Sequence, residues 1–301
     1  MSASHRPARL DALGGPDPGR VEYWRRVAGH YDRKGRDDLN FLAASSEHLV
    51  HHHTGLFEPG TSFDAARLAA QGQDEILKEI GAAEQRLADL GLATLERHGA
   101  RGPGLDCGCG RGGSALSFAL RRDDLEIDGI TVSETQLHFA RSAARALALD
   151  ARVAFAKVSV FDLPPALTDA YGFVYACEST EYMAPRERLF QTFERLLRPD
   201  GVTVVFAYMK VEGHPALDEH DFAIVNDHYV MRTGSVQEYL RASSAAGLGL
   251  ADWIDLRHEI LPYWTLRVWS RHRAGIEEPV LRCLRSDAVK YALLVLRKPG
   301  V

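Results

Sequence analysis

Cysteine is scarce in this sequence: four residues out of 301, and no C-x-x-C pair among them. Cys107 and Cys109 stand one residue apart, a spacing that suits neither an easy disulfide nor a zinc knuckle, so all four are read as small, reduced, buried side chains. An excess of positive charge is also missing. With 36 Lys and Arg against 41 Asp and Glu the chain carries a net −5, which leaves no reservoir for wrapping a polyanion and disfavours a nucleic-acid partner. No apolar run approaches the ~18 to 20 residues of a membrane-spanning helix, and the N-terminus lacks the basic-then-apolar order of a signal peptide. The expectation is a cytoplasmic protein with no membrane partner. Its homo-oligomeric state is left open.

What is present is the make-up of an ordinary globular protein, long enough to bury a core without disulfide or metal staples. Residues 1–20 are rich in Pro, Gly and Ala without apolar periodicity and read as a disordered tail. Residues 21–72 read as an N-terminal lid of short helices and loops, carrying Tyr23, Trp24, Tyr31 and the run His51, His52, His53. Ile76, Leu77, Ile80, Leu87, Leu90, Leu92 and Leu95 then recur at helical spacing and predict a long amphipathic helix over 74–97.

Strand-like and helix-like stretches alternate from there. Strands are expected near 103–107, 125–132, 152–157, 171–177, 201–208, 251–260 and 291–296, with helices near 113–121, 133–148, 185–197 and 235–245. That order implies an α/β fold: a mostly parallel seven-stranded sheet, Rossmann-like, with helices on both faces. Residues 209–250 and 261–287 read as two substrate-cap insertions in a single domain.

Residues 104–114, GLDCGCGRGGS, place glycines 108, 110, 112 and 113 between the first strand and a helix, where the backbone must turn sharply and approach a ligand. Read as G-x-G-x-x-G, the loop asks for a ribose-binding acid at the end of the second strand. The only acid at that distance, Asp128, lies inside the strand, which weakens a dinucleotide reading. The loop instead resembles that of S-adenosylmethionine methyltransferases, which opens on an acid two residues before the first glycine. The resemblance implies that Asp106 holds the turn and the cofactor ammonium, while Gly108, Gly110 and Gly112 pass under the adenosyl group.

The following segment, GITVSETQ, resembles the methyltransferase branch that includes cyclopropane fatty acid synthases. There polar groups replace the ribose carboxylate, which points to Thr131, Ser133 and Gln136; S-x-x-Q also reads as a helix capping box. Asp162 falls where this fold commonly holds the adenine amino group, with Phe161 at the ring edge, although Asp162 also suits a turn before Pro164.

The chain from about Glu22 onward is similar to the prenyl diphosphate C-methyltransferases. The resemblance rests on an ordered set: Tyr23-Trp24, Asn40 eleven residues before His51, HHH, DCGCGRGGS, GITVS with Gln136, EST at Glu178–Thr180, NDHY at Asn226–Tyr229, EYLRA at Glu238–Ala242 and LPYW at Leu261–Trp264. It implies methyl transfer from S-adenosylmethionine to an alkene carbon of a short prenyl diphosphate, geranyl or isopentenyl, through a carbocation that then loses a proton. Such a pocket must exclude water and set aromatic faces against positive charge, for which Tyr229, Trp264 and Tyr263 are candidates. Glu178, directly after a buried strand, is the candidate base or cation stabiliser. Asn40 and Asn226 match family positions around the diphosphate and its Mg²⁺, with Arg267 as a further donor and Lys210 and Arg232 as weaker ones. His53 is placed at the cofactor edge. Consecutive histidines point in different directions, so the triplet is not read as a metal site.

Three positions depart from that pattern: Val50 and Thr54 stand where the family has Tyr, and Tyr229 where it has Phe. Two rival readings remain, a methyltransferase acting on another small secondary metabolite and a cofactor-binding partner protein without catalysis.

Overall fold

The structure, a computed structural model, describes residues 22–34, 38–44, 48–61 and 64–300. The tail expected over 1–20 lies outside them. In chain order the elements are α1 (Glu22–Lys34), α2 (Asp38–Ala43), α3 (Ala65–Gln71), α4 (Gln73–Arg97), β1 (Gly104–Cys107), α5 (Gly113–Arg121), β2 (Ile127–Thr131), α6 (Glu134–Ala146), β3 (Val153–Lys157), β4 (Tyr171–Cys177), α7 (Arg186–Leu196), β5 (Leu197–Lys210), α8 (Glu219–Tyr229), α9 (Val236–Ala245), β6 (Gly249–Asp255), α10 (Arg257–Trp269), α11 (Glu277–Arg285) and β7 (Val289–Arg297).

The seven strands form one sheet in the order β3-β2-β1-β4-β5-β7-β6. β1 to β5 pair in parallel, and β7 runs antiparallel between β5 and β6. Side chains alternate faces along a strand, so each strand serves two cores. Val204 and Phe206 of β5, with Leu293 and Val295 of β7, join α4, α5, α6, α10 and α11 on one face. Val205 and Ala207, with Leu294 and Leu296, join α7 and α9 on the other. The chain leaves β1 toward β2 on one side and returns as β4 on the other, and this switch point opens a crevice at the carboxyl ends of the strands.

The alternation read from the sequence reappears with shifts of a few residues at most, with two exceptions. The strand expected over 251–260 stops at Asp255, where Asp255 Oδ1 accepts from Arg257 N at 3.1 Å and α10 begins. The LPYW motif is therefore helical. The stretch 209–250 also divides: α8 covers the crevice, but α9 packs with α7 against the far face of the sheet, burying Tyr239 completely. An amphipathic helix between strands has the same sequence signature in either place.

Candidate active site

The glycine loop follows β1 directly. Gly108, Gly110 and Gly112 all take positive φ, at 84°, 54° and 84°. A Cβ on Gly108 would lie 2.3 Å from the Ser179 side chain, and one on Gly112 2.6 Å from the Phe155 ring. Gly112 is thus a packing glycine between loop and sheet, whereas Gly108 and Gly110 line a cavity with Thr131, Gln136, Ser159 and Cys177. Thr131 Oγ1 donates to Gln136 Oε1 at 2.8 Å, which orients the Gln136 amide group. Its Nε2 faces Gly110: a Cβ on that glycine would come within 3.8 Å of it.

Asp106 is buried and lines a recess that continues this cavity under His51–His53. Its Oδ2 makes no hydrogen bond. Burial raises its pKa to about 7, against a smaller lowering by the Ala115 backbone. A buried carboxyl oxygen without a donor beside a glycine cradle is a fitting partner for a ligand ammonium.

Not every expected cofactor residue faces the cavity. Ser133 is fully buried as the N-cap of α6, accepting from Gln136 N at 3.2 Å and donating to Asp32 Oδ1 at 2.5 Å, so it ties α1 to the sheet. Phe161 packs between Trp24 and the Arg188 guanidinium, and Asp162 closes the short turn of 3₁₀-helix Val160–Asp162; neither lines the cavity. Ser159 and Val160, just upstream, line it instead, because Ser159 Oγ caps that turn by accepting from Phe161 N. Trp24 of α1 also lines it.

A second cavity adjoins the first, and Tyr31, His52, Glu178 and Tyr182 belong to both. Its wall is aromatic: Tyr208, Phe222, Tyr229, Tyr263 and Trp264, with Val280, Leu284 and Val289 making an apolar end. Glu178 stands at the junction. It follows β4 with φ of +48°, a conformation uncommon for a non-glycine residue and typical of functional turns. Its Oε1 accepts from Thr54 N at 2.7 Å and from Tyr291 Oη at 2.8 Å.

His52 lines both cavities and the recess, and His53 lines the recess and the aromatic cavity. His53 Nδ1 donates to the Thr54 carbonyl at 2.8 Å, while burial pushes its pKa down to about 3 and keeps it neutral. Burial lowers His51 too, whose Nε2 pairs with Gln85 Oε1 at 3.1 Å.

Asn40 lines the aromatic cavity, with Nδ2 donating to the His51 carbonyl at 3.1 Å. Arg267 also lines it and pairs with Glu277 at 3.2 Å. Burial works against its charge, and the Glu277 and Glu84 carboxylates favour the charged guanidinium. Asn226 is different. Its Oδ1 accepts from Thr233 N at 3.1 Å and Thr233 Oγ1 at 2.8 Å, and its Nδ2 donates to the Phe222 carbonyl at 2.9 Å. It is absent from the cavity wall and fastens the end of α8 that carries Tyr229. In this structure it supports α8 rather than the cavity wall.

Sequence reasoning missed Glu181, Tyr208 and Tyr182 on the aromatic wall. Tyr208 Oη accepts from Trp264 Nε1 at 2.8 Å and pairs with Thr54 Oγ1, joining β5, α10 and the lid. For Glu181 a signal existed: it stands three residues after Glu178, on the turn that leaves β4.

Among the described residues no group of three His, Cys, Asp or Glu is placed to hold a metal, and no helix is long and apolar enough to cross a membrane. The four cysteines are free, with Cys177 only half-buried because it faces the glycine-loop cavity.

The sheet order, the glycine loop after β1 and the cavity at the switch point define a class I S-adenosylmethionine-dependent methyltransferase, and residues 105–201 match the methyltransferase domain family. Over 281 residues the chain is 30% identical to geranyl diphosphate 2-C-methyltransferase of Streptomyces coelicolor, covering 90% of this chain and 91% of that one. The Saccharopolyspora erythraea enzyme of the same name is 29% identical, with 91% and 92% covered. The crystal structure of the S. coelicolor enzyme with Mg²⁺, geranyl-S-thiolodiphosphate and S-adenosyl-L-homocysteine superposes with a TM-score of 0.83 at 25% identity, covering 94% of this chain and 100% of that one. The chain belongs to the geranyl diphosphate 2-C-methyltransferase family.

Proposed function

We propose that this chain methylates an alkene carbon of a short prenyl diphosphate, geranyl diphosphate foremost, and that Glu178 removes the proton that completes the reaction. The observation that carries the reading is the shared wall: Tyr31, His52, Glu178 and Tyr182 border the glycine-loop cavity and the aromatic cavity at once. S-Adenosylmethionine supplies an electrophilic methyl group when bound. Asp106 would hold its ammonium, and Gly108, Gly110, Thr131 and Gln136 would cradle its adenosyl part.

The aromatic cavity suits an alkene acceptor. Methylation of a trisubstituted double bond leaves a tertiary cation, which the faces of Tyr229, Tyr263 and Trp264 stabilise and from which they exclude water. Glu178, oriented through Oε1 by Thr54 N and Tyr291 Oη, would take the proton. Arg267 and Asn40 would meet the diphosphate head. Without an acidic cluster among the described residues, a Mg²⁺ would enter on the diphosphate oxygens, with Asn40 beside it.

Three uncharged or acidic features favour this reading over a non-catalytic partner protein: the strained Glu178 turn, the aromatic wall and the junction of two cavities. Incubation with labelled S-adenosylmethionine, Mg²⁺ and five-, ten- and fifteen-carbon diphosphates tests it. A methylated ten-carbon diphosphate is expected. Transfer to none of the three would remove the reading, and full activity on another metabolite with Mg²⁺ chelated would replace it.

A further inference from the structure

Two carboxyl groups, Glu178 and Glu181, line the same aromatic cavity, and the mechanism above uses one. Glu181 is completely buried. Its Oε1 accepts from Tyr208 N at 2.8 Å, and Thr180 Oγ1 lies 3.5 Å from Oε2. The Arg186 guanidinium, also buried, donates through Nη2 to Arg232 O at 2.6 Å and to Glu181 O at 3.4 Å, and its charge lowers the Glu181 pKa by less than burial and Glu178 raise it. Arg232 turns its own guanidinium onto the Tyr23 ring, 3.9 Å from the centroid.

The other titratable groups facing Glu181 are Cys177, Tyr23 and Tyr31 of α1, Tyr182, Tyr208 of β5 and Tyr239 of α9. Burial raises the pKa of each, so they stay neutral. Two carboxylates cannot both be charged cheaply in one water-poor cavity. Glu181 is completely buried and Glu178 only half-buried, which makes Glu181 the one to stay protonated.

We propose that Glu181 is a positioning residue held protonated beside Glu178, so that the cavity carries a single carboxylate, and that its ionisation weakens binding of the anionic acceptor at higher pH. Burial and the charge of Glu178 raise its pKa to about 7, which puts this change in the working range. Below that pH the cavity presents one carboxylate to the diphosphate; above it, two. The neutral acid also leaves Tyr208 N its acceptor, and with it the Tyr208 ring against which Trp264 is fixed.

The inference rests on the acceptor reading above, and its test separates the two. Dissociation constants of geranyl diphosphate are measured with S-adenosylhomocysteine and Mg²⁺ present, for the full chain and for Glu181→Gln, from about pH 6 to about pH 8. Comparison with the variant cancels the titration of the diphosphate itself. The ratio of wild-type to variant constants is expected to rise about tenfold across that range. A ratio independent of pH overturns the proposal.

Should Glu181→Gln fail to fold, the infrared spectrum of the ¹³C-glutamate-labelled wild type without acceptor decides. A protonated-carboxyl band that is missing in Glu181→Asp and fades as pH passes 7 supports the proposal, and its absence below pH 7 overturns it. If wild type binds no geranyl diphosphate at any pH, the acceptor reading fails. The infrared titration then still decides the protonation of Glu181.

Discussion

The main-chain N–H of Thr54 donates to the carboxylate of Glu178 at 2.7 Å, across 124 residues of sequence. This contact fastens the N-terminal segment to the proposed base, and on the same oxygen Tyr291 Oη is a second donor. Replacing Glu178 by Gln keeps the size and removes the base. Turnover is expected to fall roughly 10²- to 10⁴-fold while S-adenosylhomocysteine affinity stays within about twofold. Single-turnover kinetics and calorimetry check this, and an unchanged rate would take Glu178 out of the mechanism.

Tyr291→Phe deletes one donor and leaves the ring, which packs 4.8 Å from Tyr208. Losing a hydrogen bond to a buried charged group costs about 1.5–3 kcal/mol. Unfolding in denaturant should show a loss of that order, together with a fall in kcat of about tenfold as Glu178 loses its orientation. A stable variant with full kcat would show that Thr54 alone suffices.

Asp106 predicts a pH dependence of cofactor binding. Its pKa is raised to about 7 in the free chain by burial, so the carboxylate that pairs with an ammonium is complete only above that pH. Affinity for S-adenosylhomocysteine should therefore drop as pH falls below 7, by up to tenfold per unit, with proton release on binding. Stability moves the other way. An acid whose folded pKa is raised from 3.8 favours the folded chain at low pH, and that contribution is lost as pH rises from about 4 to about 7. Asp106→Asn should bind weakly at every pH and abolish both trends; a wild-type affinity that is flat from pH 6 to pH 8 would exclude the assignment.

The sheet was legible because its signals are local: alternating strand and helix periods, and a run of glycines after the first strand. Glu178, Trp264 and Gln136 were legible because each is tied to a strand end or a dense motif. Tyr208 was not, since nothing in the β5 sequence tells which tyrosine will meet Thr54 and Trp264 from distant segments. Asn226 shows the converse. Its place in the NDHY motif matches a ligand position, yet Phe222 and Thr233 take up both ends of its amide. Ser133 likewise has one pattern that serves as a helix cap and as a ligand contact, and in the structure its buried hydroxyl makes the cap.

Trp264 offers two functions that can be separated. Its ring lines the cavity and its Nε1 holds Tyr208 Oη. Trp264→Phe keeps an aromatic face and loses the donor, so turnover should fall about three- to tenfold. Trp264→Leu loses both and should cost at least another tenfold, since a cation over an aromatic face in a dry site gains ~2 kcal/mol. Equal rates for Phe and Leu would mean that the ring does not face the cation.

Gly81 lies in α4 where α2 crosses it, and a Cβ there would be 1.7 Å from the Ala43 carbonyl oxygen. Backbone cannot rotate out of the way as a side chain does, so Gly81→Ala must push α2 off α4. α2 carries Asn40 into the aromatic cavity and, through the Asn40 bond to the His51 carbonyl, supports the histidine run. The variant is therefore expected to lose about 1–3 kcal/mol in stability and to raise KM for the diphosphate several-fold more than KM for S-adenosylmethionine. A thermal melt and steady-state kinetics with each substrate varied check both effects. Equal rises in the two KM values would show that α2 serves the whole crevice rather than the acceptor side.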